Sequence, residues 1–344
     1  MKKSFATLRE ANNLAKKKIS RKKWNWMNCG SEKEYTVNAN LDYFKKFKIN
    51  QKILNDVHNI KLEKKFLGEK IKFPMIISPV GYMNQYHKNG ELDFALGAHE
   101  ARTFLCLSAV TSVKIDEIMR KNKKLNLIYQ FYSLRPRKWV IDELKKITDL
   151  GVKAICITGD SPVRSIKYDI MEDKHDARKH GRIKLSKAPL QQWRSYMSKL
   201  NWKDIRWLKK HTKLPIIIKG IMNIEDAKKS FQNGASIIWV SNHGGRTLDS
   251  GISSLEALIK IRKKFKKKQI IFDGGIRTGT DMFKAICLGA DIVSIGRPSI
   301  WGLILGGSKG VSKILNLFFD EFKSVMSLSG CKNLKNANTK FIIK

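Results

Sequence analysis

The sequence predicts an α/β fold, a closed (β/α)8 TIM barrel behind a helical covering segment, and three observations predict it. Eight short apolar runs of strand length lie between residues 75 and 295, and apolar residues at three and four spacing follow them. Most of these runs end in polar residues that a core does not need, and burying them unpaired would cost on the order of 1–3 kcal/mol each. The loops after the last two runs are rich in glycine and carry arginine. Eight β-then-α units favour closure over an open doubly wound sheet, and in such barrels chemistry sits where the strands end.

The chain before the first run reads as helices and loops. Phe5, Leu8, Ala11 and Ala15 recur at helical spacing, and Trp24, Trp26 and Tyr35 follow. The expected division is a covering segment at 1–60, a barrel at 61–333 and a basic, loose tail at 334–344. The expected strands are 75–80, 104–110, 127–132, 154–158, 215–219, 237–241, 269–273 and 292–295. Helical patterns stand between them, such as Val140, Leu144, Ile147 and Leu150, or Leu255, Leu258, Ile261 and Phe265. The interval 165–200 has no convincing strand; it is charged, carries Met171, Trp193 and Met197, and reads as a lid-like excursion over the mouth. Residues 311–326 read as an amphipathic closing helix.

The strand ends supply the candidate site: Ser108, Gln130, Tyr132, Thr158, Asp160, Lys219, Ser241, His243, Asp273, Gly296 and Arg297. His243 and Arg246 share the loop Ser241-Asn242-His243-Gly244-Gly245-Arg246. A histidine titrating near neutrality and a permanent guanidinium suit proton abstraction and carboxylate binding respectively. Such a pair alone is also what a loop histidine beside a solvated arginine looks like; a ring of polar strand ends favours a ligand site. Asp273-Gly274-Gly275-Ile276-Arg277-Thr278-Gly279 and Gly296-Arg297-Pro298 follow the seventh and eighth runs, where barrels often hold phosphate. Backbone N–H groups and two guanidinium groups suit a phosphate monoester.

Composition narrows the partners. Among 344 residues, 68 Lys and Arg stand against 30 Asp and Glu, a net charge of +38 that raises nucleic acid or anionic lipid as partners. The lysine runs at 16–18, 22–23, 209–210 and 266–268 fall on segments that read as helix exteriors, without the interleaved aromatics of a stacking platform. No nucleic acid is expected, and a peripheral contact with anionic membrane stays open. Cys29, Cys106, Cys156, Cys287 and Cys331 form no C-x-x-C pair and read as reduced, packed thiols of a cytoplasmic protein. No secretory signal or membrane span is expected, nor a metal, because no His/Cys/Glu cluster has ligand spacing.

Six stretches carry a resemblance: SNHGGRTLD (241–249), DGGIRTGTDMFKAICLGA (273–290), GRP (296–298), LPIIIKG (214–220), YQFY (129–132) and TGDSP (158–162). From about residue 12 to 335 the chain resembles the FMN-dependent α-hydroxy-acid oxidases and dehydrogenases, which include glycolate oxidase, lactate oxidase, L-lactate dehydrogenase and mandelate dehydrogenase. The resemblance implies oxidation of an L-2-hydroxy acid to the 2-oxo acid, with FMN as cofactor, His243 as base and Asp160 stabilising the imidazolium. It implies that Arg246 holds the substrate carboxylate, that Tyr132 contacts the substrate, and that Lys219 lies near the flavin N1 and C2 carbonyl. Val80, Gly81, Ser108, Gln130 and Thr158 would line the flavin ring, and Ser241, Asp273, Gly275, Arg277, Gly296 and Arg297 would receive its ribityl chain and phosphate. Trp26 stands where the family usually has a carboxylate-gripping tyrosine, Lys167 stands near a frequent arginine, and Val110 replaces a common bulky aromatic. Those departures bear on which substrate is recognised. The resemblance also implies a homo-oligomer, and it leaves the electron acceptor open among oxygen, a quinone and a redox protein. The runner-up readings are another FMN-barrel activity, an isomerase or a peptide-modifying oxidase, and a basic binding protein that has lost catalysis.

Overall fold

The computed structural model describes residues 5–122, 124–176 and 195–344. Residues 177–194 of the expected lid, Trp193 among them, lie outside the described residues. Twelve strands occur among the described residues: β1 (Lys48–Ile49), β2 (Lys64–Phe66), β3 (Glu69–Ile71), β4 (Met75–Ile77), β5 (Phe104–Leu107), β6 (Asn126–Phe131), β7 (Ala154–Thr158), β8 (Ile216–Ile221), β9 (Ile237–Val240), β10 (Ile270–Phe272), β11 (Ile292–Ile295) and β12 (Ile342–Ile343). Strands β4 to β11 close into one barrel in chain order, every pair parallel. Several are shorter than expected: the run 75–80 is strand only to Ile77 and the run 104–110 only to Leu107, because their polar ends turn into loops.

The barrel interior is a packed core. Ile76, Cys106, Ile128, Cys156, Ile217 and Trp239 point into it and are essentially inaccessible. The antiparallel hairpin β2–β3 plugs the end where the strands begin, with Phe66 edge-on to Phe104 at 5.1 Å between ring centroids. Sequence reading missed this hairpin. Its strands are three residues long and contain Lys64, Lys65, Glu69 and Lys70, so they carry no apolar run.

Three helices precede the barrel: α1 (Leu8–Lys18), α2 (Arg21–Asn28) and α3 (Tyr35–Lys45). Thr7 and Ser20 cap the first two, and α1 buries Leu8, Ala11 and Ala15 against the helix Arg297–Leu328. α3 starts differently. Glu34, its cap position, is left-handed and makes no side-chain cap; instead the Asp249 carboxylate accepts from Thr36 N at 2.8 Å and Lys33 N at 3.1 Å. One turn on, Asn40 and Asn242 exchange two amide hydrogen bonds of 2.8 and 2.9 Å. Gly245 has φ 77°, and a Cβ there would lie 2.7 Å from Val37 N, so only glycine lets α3 come this close to the His243 loop.

The carboxy-terminal part departs from expectation in two ways. Gly296-Arg297-Pro298 does not stay in a loop: Arg297 opens a helix that runs to Leu328, bent at Gly306–Gly307, and the expected closing helix is its second half. Pro298 suits the first turn, where no intrahelical N–H bond is needed. Nor is the tail loose: β12 pairs with β1 and Phe341 is buried. The lysine runs at 16–18, 22–23 and 209–210 sit on helices, the run at 266–268 lies in the turn after the helix Ser254–Lys264 rather than on a helix exterior, and among the described residues no helix is long and apolar enough to cross a membrane.

Asp249 yields a stability test. Burial alone would raise its pKa, but backbone donors from Thr36, Ser250 and Tyr35 outweigh it and hold the carboxyl below its usual value. Asp249→Ala should cost about 1–2 kcal/mol in urea unfolding at neutral pH, the usual worth of a lost cap. A depressed carboxylate stabilises only while ionised in the native state. The gap between parent and variant should therefore narrow as pH falls from about 4 through the native pKa, and a pH-independent gap would refute the assignment.

Candidate active site

At the carboxyl ends of the strands a cavity, open at its mouth, is lined by Trp26, Tyr82, Tyr132, Lys219, His243, Arg246, Arg277 and Arg297 together with loop backbone. Parallel closure explains the convergence, because every strand ends on the same rim.

His243 follows β9 in a left-handed conformation, φ 57°, and its N–H donates to Ser241 Oγ at 3.1 Å. Its ring Nδ1 lies 2.9 Å from Asp160 Oδ1 and 3.4 Å from Ser161 Oγ. The carboxylate assigns the proton to Nδ1 and leaves Nε2 as the basic nitrogen. Burial would raise the Asp160 pKa, but His243, Lys219 and Ser161 outweigh it, so the group stays an anion. Its second oxygen, Oδ2, is buried without a partner.

Lys219 on β8 is buried, and its Nζ reaches Ser241 Oγ at 2.6 Å and Asp273 Oδ2 at 3.2 Å. Ser241 Oγ in turn donates to Asp273 Oδ1 at 2.6 Å. Burial pushes the ammonium pKa down; Asp273 and Asp160 more than compensate, and the lysine is held charged. The Tyr132 phenol is pushed well up, by burial first and Asp160 second, so it remains an O–H donor.

Arg246 is pinned from behind. Nη1 donates to Met27 O at 2.9 Å and Cys29 O at 2.6 Å, and Nη2 to Trp26 O at 2.8 Å. These are carbonyls at the end of α2, which no further helical turn can satisfy. The guanidinium is thereby fixed at the mouth, with N–H groups left over for a ligand.

Arg277 and Arg297 form a second pole. Arg297 Nη1 donates to Gly244 O at 3.0 Å while its Nε is buried without a partner. Arg277 bonds its neighbouring Ile276 carbonyl at 2.9 Å. Burial pushes Arg277 down to about 10; burial, then Arg277 and Arg246, push Arg297 down to about 9. A guanidinium does not give up its proton in practice, so these shifts register the burial of two charges, with repulsion added at Arg297, a cost that a bound anion would relieve.

Some expected residues lie elsewhere. Ser108, Gln130 and Thr158 are buried, Gln130 Nε2 donates to Thr158 Oγ1 at 2.5 Å, and none of the three lines the cavity. Ser241 serves Lys219 and Asp273. Val80, Gly81, Asp273, Gly275 and Gly296 do line the cavity, whereas Lys167 lines a second, smaller one that shares Trp26 and Arg246. Sequence reading missed Tyr82, whose ring meets Trp26 edge-on at 6.2 Å, and Ser161 on the His243 ring. Both adjoin residues that were singled out, Gly81 and Asp160, so a wider window at each strand end finds them. Asn40 lies some 200 positions from its partner and gives no sequence signal.

A parallel barrel with a histidine–aspartate pair at its mouth and paired arginines after the last two strands defines a phosphate-bearing-cofactor enzyme that does acid–base chemistry. The family model of FMN-dependent dehydrogenases matches residues 15–344. L-lactate oxidase of Nostoc sp. is 33% identical over 352 residues, 97% of this chain and 96% of that one. Glycolate oxidase of Spinacia oleracea is 33% identical over 96% of this chain and 93% of its own. Among solved structures, oxidized (S)-mandelate dehydrogenase in an active mutant form superposes with a TM-score of 0.93 at 26% identity, covering 99% of both chains. Mandelate oxidase with (S)-2-phenylpropionate gives 0.88 at 28% identity over 99% of this chain and 98% of that one. The chain belongs to the FMN-dependent dehydrogenase family; it is an oxidoreductase, and its cofactor is FMN.

The residues present fit that cofactor: Arg277 and Arg297 line the same cavity as the loop backbone at Gly275 and Gly296, and Arg297 Nε is buried without a partner. Inorganic phosphate should therefore raise the melting temperature of the apoprotein in proportion to its occupancy, and FMN should raise it further. Arg277→Ala should lose most of the phosphate effect; an unchanged phosphate response would refute the placement of that pole.

Proposed function

We propose that the protein oxidises an L-2-hydroxy acid to the 2-oxo acid, with His243 as the base. The observation that carries this reading is the His243–Asp160 pair at 2.9 Å, whose free ring nitrogen belongs to a residue lining the same cavity as Arg246 and Tyr132. Arg246 binds the substrate carboxylate with the N–H groups its carbonyl contacts leave over, and Tyr132 donates its O–H to the substrate. His243 Nε2 takes the proton, from the hydroxyl or from Cα, and becomes an imidazolium. Asp160 stabilises that charge, which is worth more in a site poor in water.

FMN, when bound, accepts the two electrons of the oxidation. Arg277 and Arg297 with the backbone at Gly275 and Gly296 would hold its phosphate end, and Val80 and Gly81, which line the same cavity, would border its ring. Lys219 supplies a buried positive charge that needs no reorganisation during the reaction. Ser108, Gln130 and Thr158 act from behind, by fixing the strand ends. The electrons then pass to oxygen, a quinone or a redox protein, which oxygen uptake and dye reduction distinguish. A homo-oligomer and a peripheral contact with anionic membrane are carried forward from the sequence, the latter supported by the exposed lysine runs; light scattering and salt-dependent vesicle binding test them.

The decisive experiment is anaerobic flavin bleaching by a panel of 2-hydroxy acids. His243→Gln should keep FMN and slow its reduction by at least about 10², as expected for a lost general base. Asp160→Asn should slow it in the same direction, and the double variant should be little worse than His243→Gln alone, since groups acting as a unit are not additive. Reduction of His243→Gln at nearly the parental rate would sink the assignment.

A further inference from the structure

Exposed aliphatic side chains and lysines meet where residues 48–55 run beside the carboxy-terminal segment 328–343. Leu54 is 99% exposed, Ile53 75%, Leu328 67% and Ile343 50%. Pairing within the chain brings them together: Ile343 stands opposite Lys48 in the β1–β12 ladder, Lys52 N donates to Ser329 O at 3.1 Å, and Gln51 Nε2 donates to Leu328 O at 2.9 Å. The loop tip is held in place. Asn55 Nδ2 donates to Gly330 O at 3.0 Å, and Gly330, φ 73°, comes so close that a Cβ there would lie 2.2 Å from Lys52 O. Leu54 itself has φ 57°, a conformation a leucine rarely adopts, so a fixed backbone presents two aliphatic side chains to solvent.

The charge around them is of one sign. Residues 45–55 contain four Lys and residues 326–344 four more, with no Asp or Glu in either segment. Lys52, Lys332 and Lys340 border a hollow with Asn55, Asn336 and Asn338, and among the described residues no carboxylate lines it. Lys52 Nζ lies 4.5 Å from the Phe341 ring centroid, a contact that brings no countercharge. The acids of the adjoining elements are engaged or set back: Asp42 pairs with Lys45 at 2.7 Å, Glu63 with Lys70 at 2.6 Å, Asp281 accepts the Arg277 and Thr278 N–H groups at 3.0 Å, and Glu321 accepts the Gly279 N–H at 2.7 Å. Asp320 precedes Leu328 by about 12 Å along their helix. Asp56, which accepts the His58 N–H at 3.0 Å, is the acid next to the tip, and eight lysines outweigh it.

We infer that this patch is the surface by which the protein docks on a bilayer carrying anionic lipid, which rests on the peripheral contact proposed above and gives it a place. Ile53 and Leu54 enter the boundary between headgroups and acyl chains, where aliphatic side chains leave water, while Lys52, Lys332 and Lys340 stay at headgroup level beside lipid phosphates. Charge and chemistry select this occupant. A second copy meeting the patch across a two-fold axis would set lysine against lysine. A nucleic acid would find aliphatic side chains where it needs aromatic faces for stacking. An anionic bilayer suits both halves of the patch, because it offers negative charge at its surface and hydrocarbon beneath.

The test floats the holoenzyme with phosphatidylcholine vesicles made with and without phosphatidylserine. Binding should require phosphatidylserine and weaken with added salt as the Debye length shortens. Ile53→Ser combined with Leu54→Ser should weaken it by about tenfold or more, since it removes the apolar anchor. Lys332→Gln combined with Lys340→Gln should also weaken it by about tenfold or more and flatten its salt dependence. Lys209→Gln combined with Lys210→Gln removes the same charge from the helix Trp202–His211 and should weaken binding by less than about threefold. All three variants should keep their FMN, which reports an intact fold. Parental binding after the Ile53 and Leu54 changes, or equal losses from the two lysine pairs, overturns this surface while leaving a membrane contact through overall charge. Absence of binding to phosphatidylserine vesicles at every salt concentration removes the contact and the surface together. Parental binding with a lower molar mass in light scattering after the Ile53 and Leu54 changes would assign the patch to a second copy and overturn the proposal.

Discussion

A buried ammonium holds the mouth of this barrel in register. Lys219 on β8 lies in a place that burial makes hostile to charge, and it stays charged because Asp273, at 3.2 Å, and the Asp160 carboxylate hold it so. Ser241 ties the lysine to Asp273 and also accepts the His243 N–H, so the lysine, His243 and the loop after β10 are bonded through one hydroxyl. Removing Lys219 or Asp273 would leave a buried charge without its ion-pair partner, which costs several kcal/mol. The network therefore fixes His243 and the loop after β10 relative to each other.

The mouth has more cations than anions, and they are kept apart by use. Lys219 is neutralised within the protein, Arg246 is clamped by three carbonyls at the end of α2, Arg277 and Arg297 line the main cavity, and Arg164 and Lys167 border a smaller one beside it. Arg297, whose Nε is buried without a partner, marks where an anionic part of a ligand belongs. That division explains why a helix from the start of the chain is part of the site. α2 supplies the carbonyls that aim Arg246, and α3 supplies the amide that anchors the loop of His243.

The strands, their order and the polar residues at their ends were legible because a parallel barrel leaves a repeated pattern: an apolar run, a polar end and a helical period. His243, Asp160 and Lys219 stood at those ends and meet in space. The plug hairpin was not legible, since strands of three residues with two lysines carry no hydrophobic period. The β12 pairing was invisible for another reason: two residues gain their structure from β1, almost three hundred positions away.

By itself the sequence determined the architecture, the family and the candidate residues at the strand ends, because each is written in local patterns: strand periodicity, glycine-rich turns and short polar motifs. Only the tertiary structure decided how those residues are used. Ser108, Gln130 and Thr158 share the strand-end signature of the others, yet they bond to their own surroundings and leave the cavity wall to Tyr82. Arg246 reads as a ligand-binding group, yet most of its contacts serve a helix end more than two hundred residues upstream. A side chain's hydrogen bonds and neighbouring charges come from chain segments distant in sequence, and no local pattern records them.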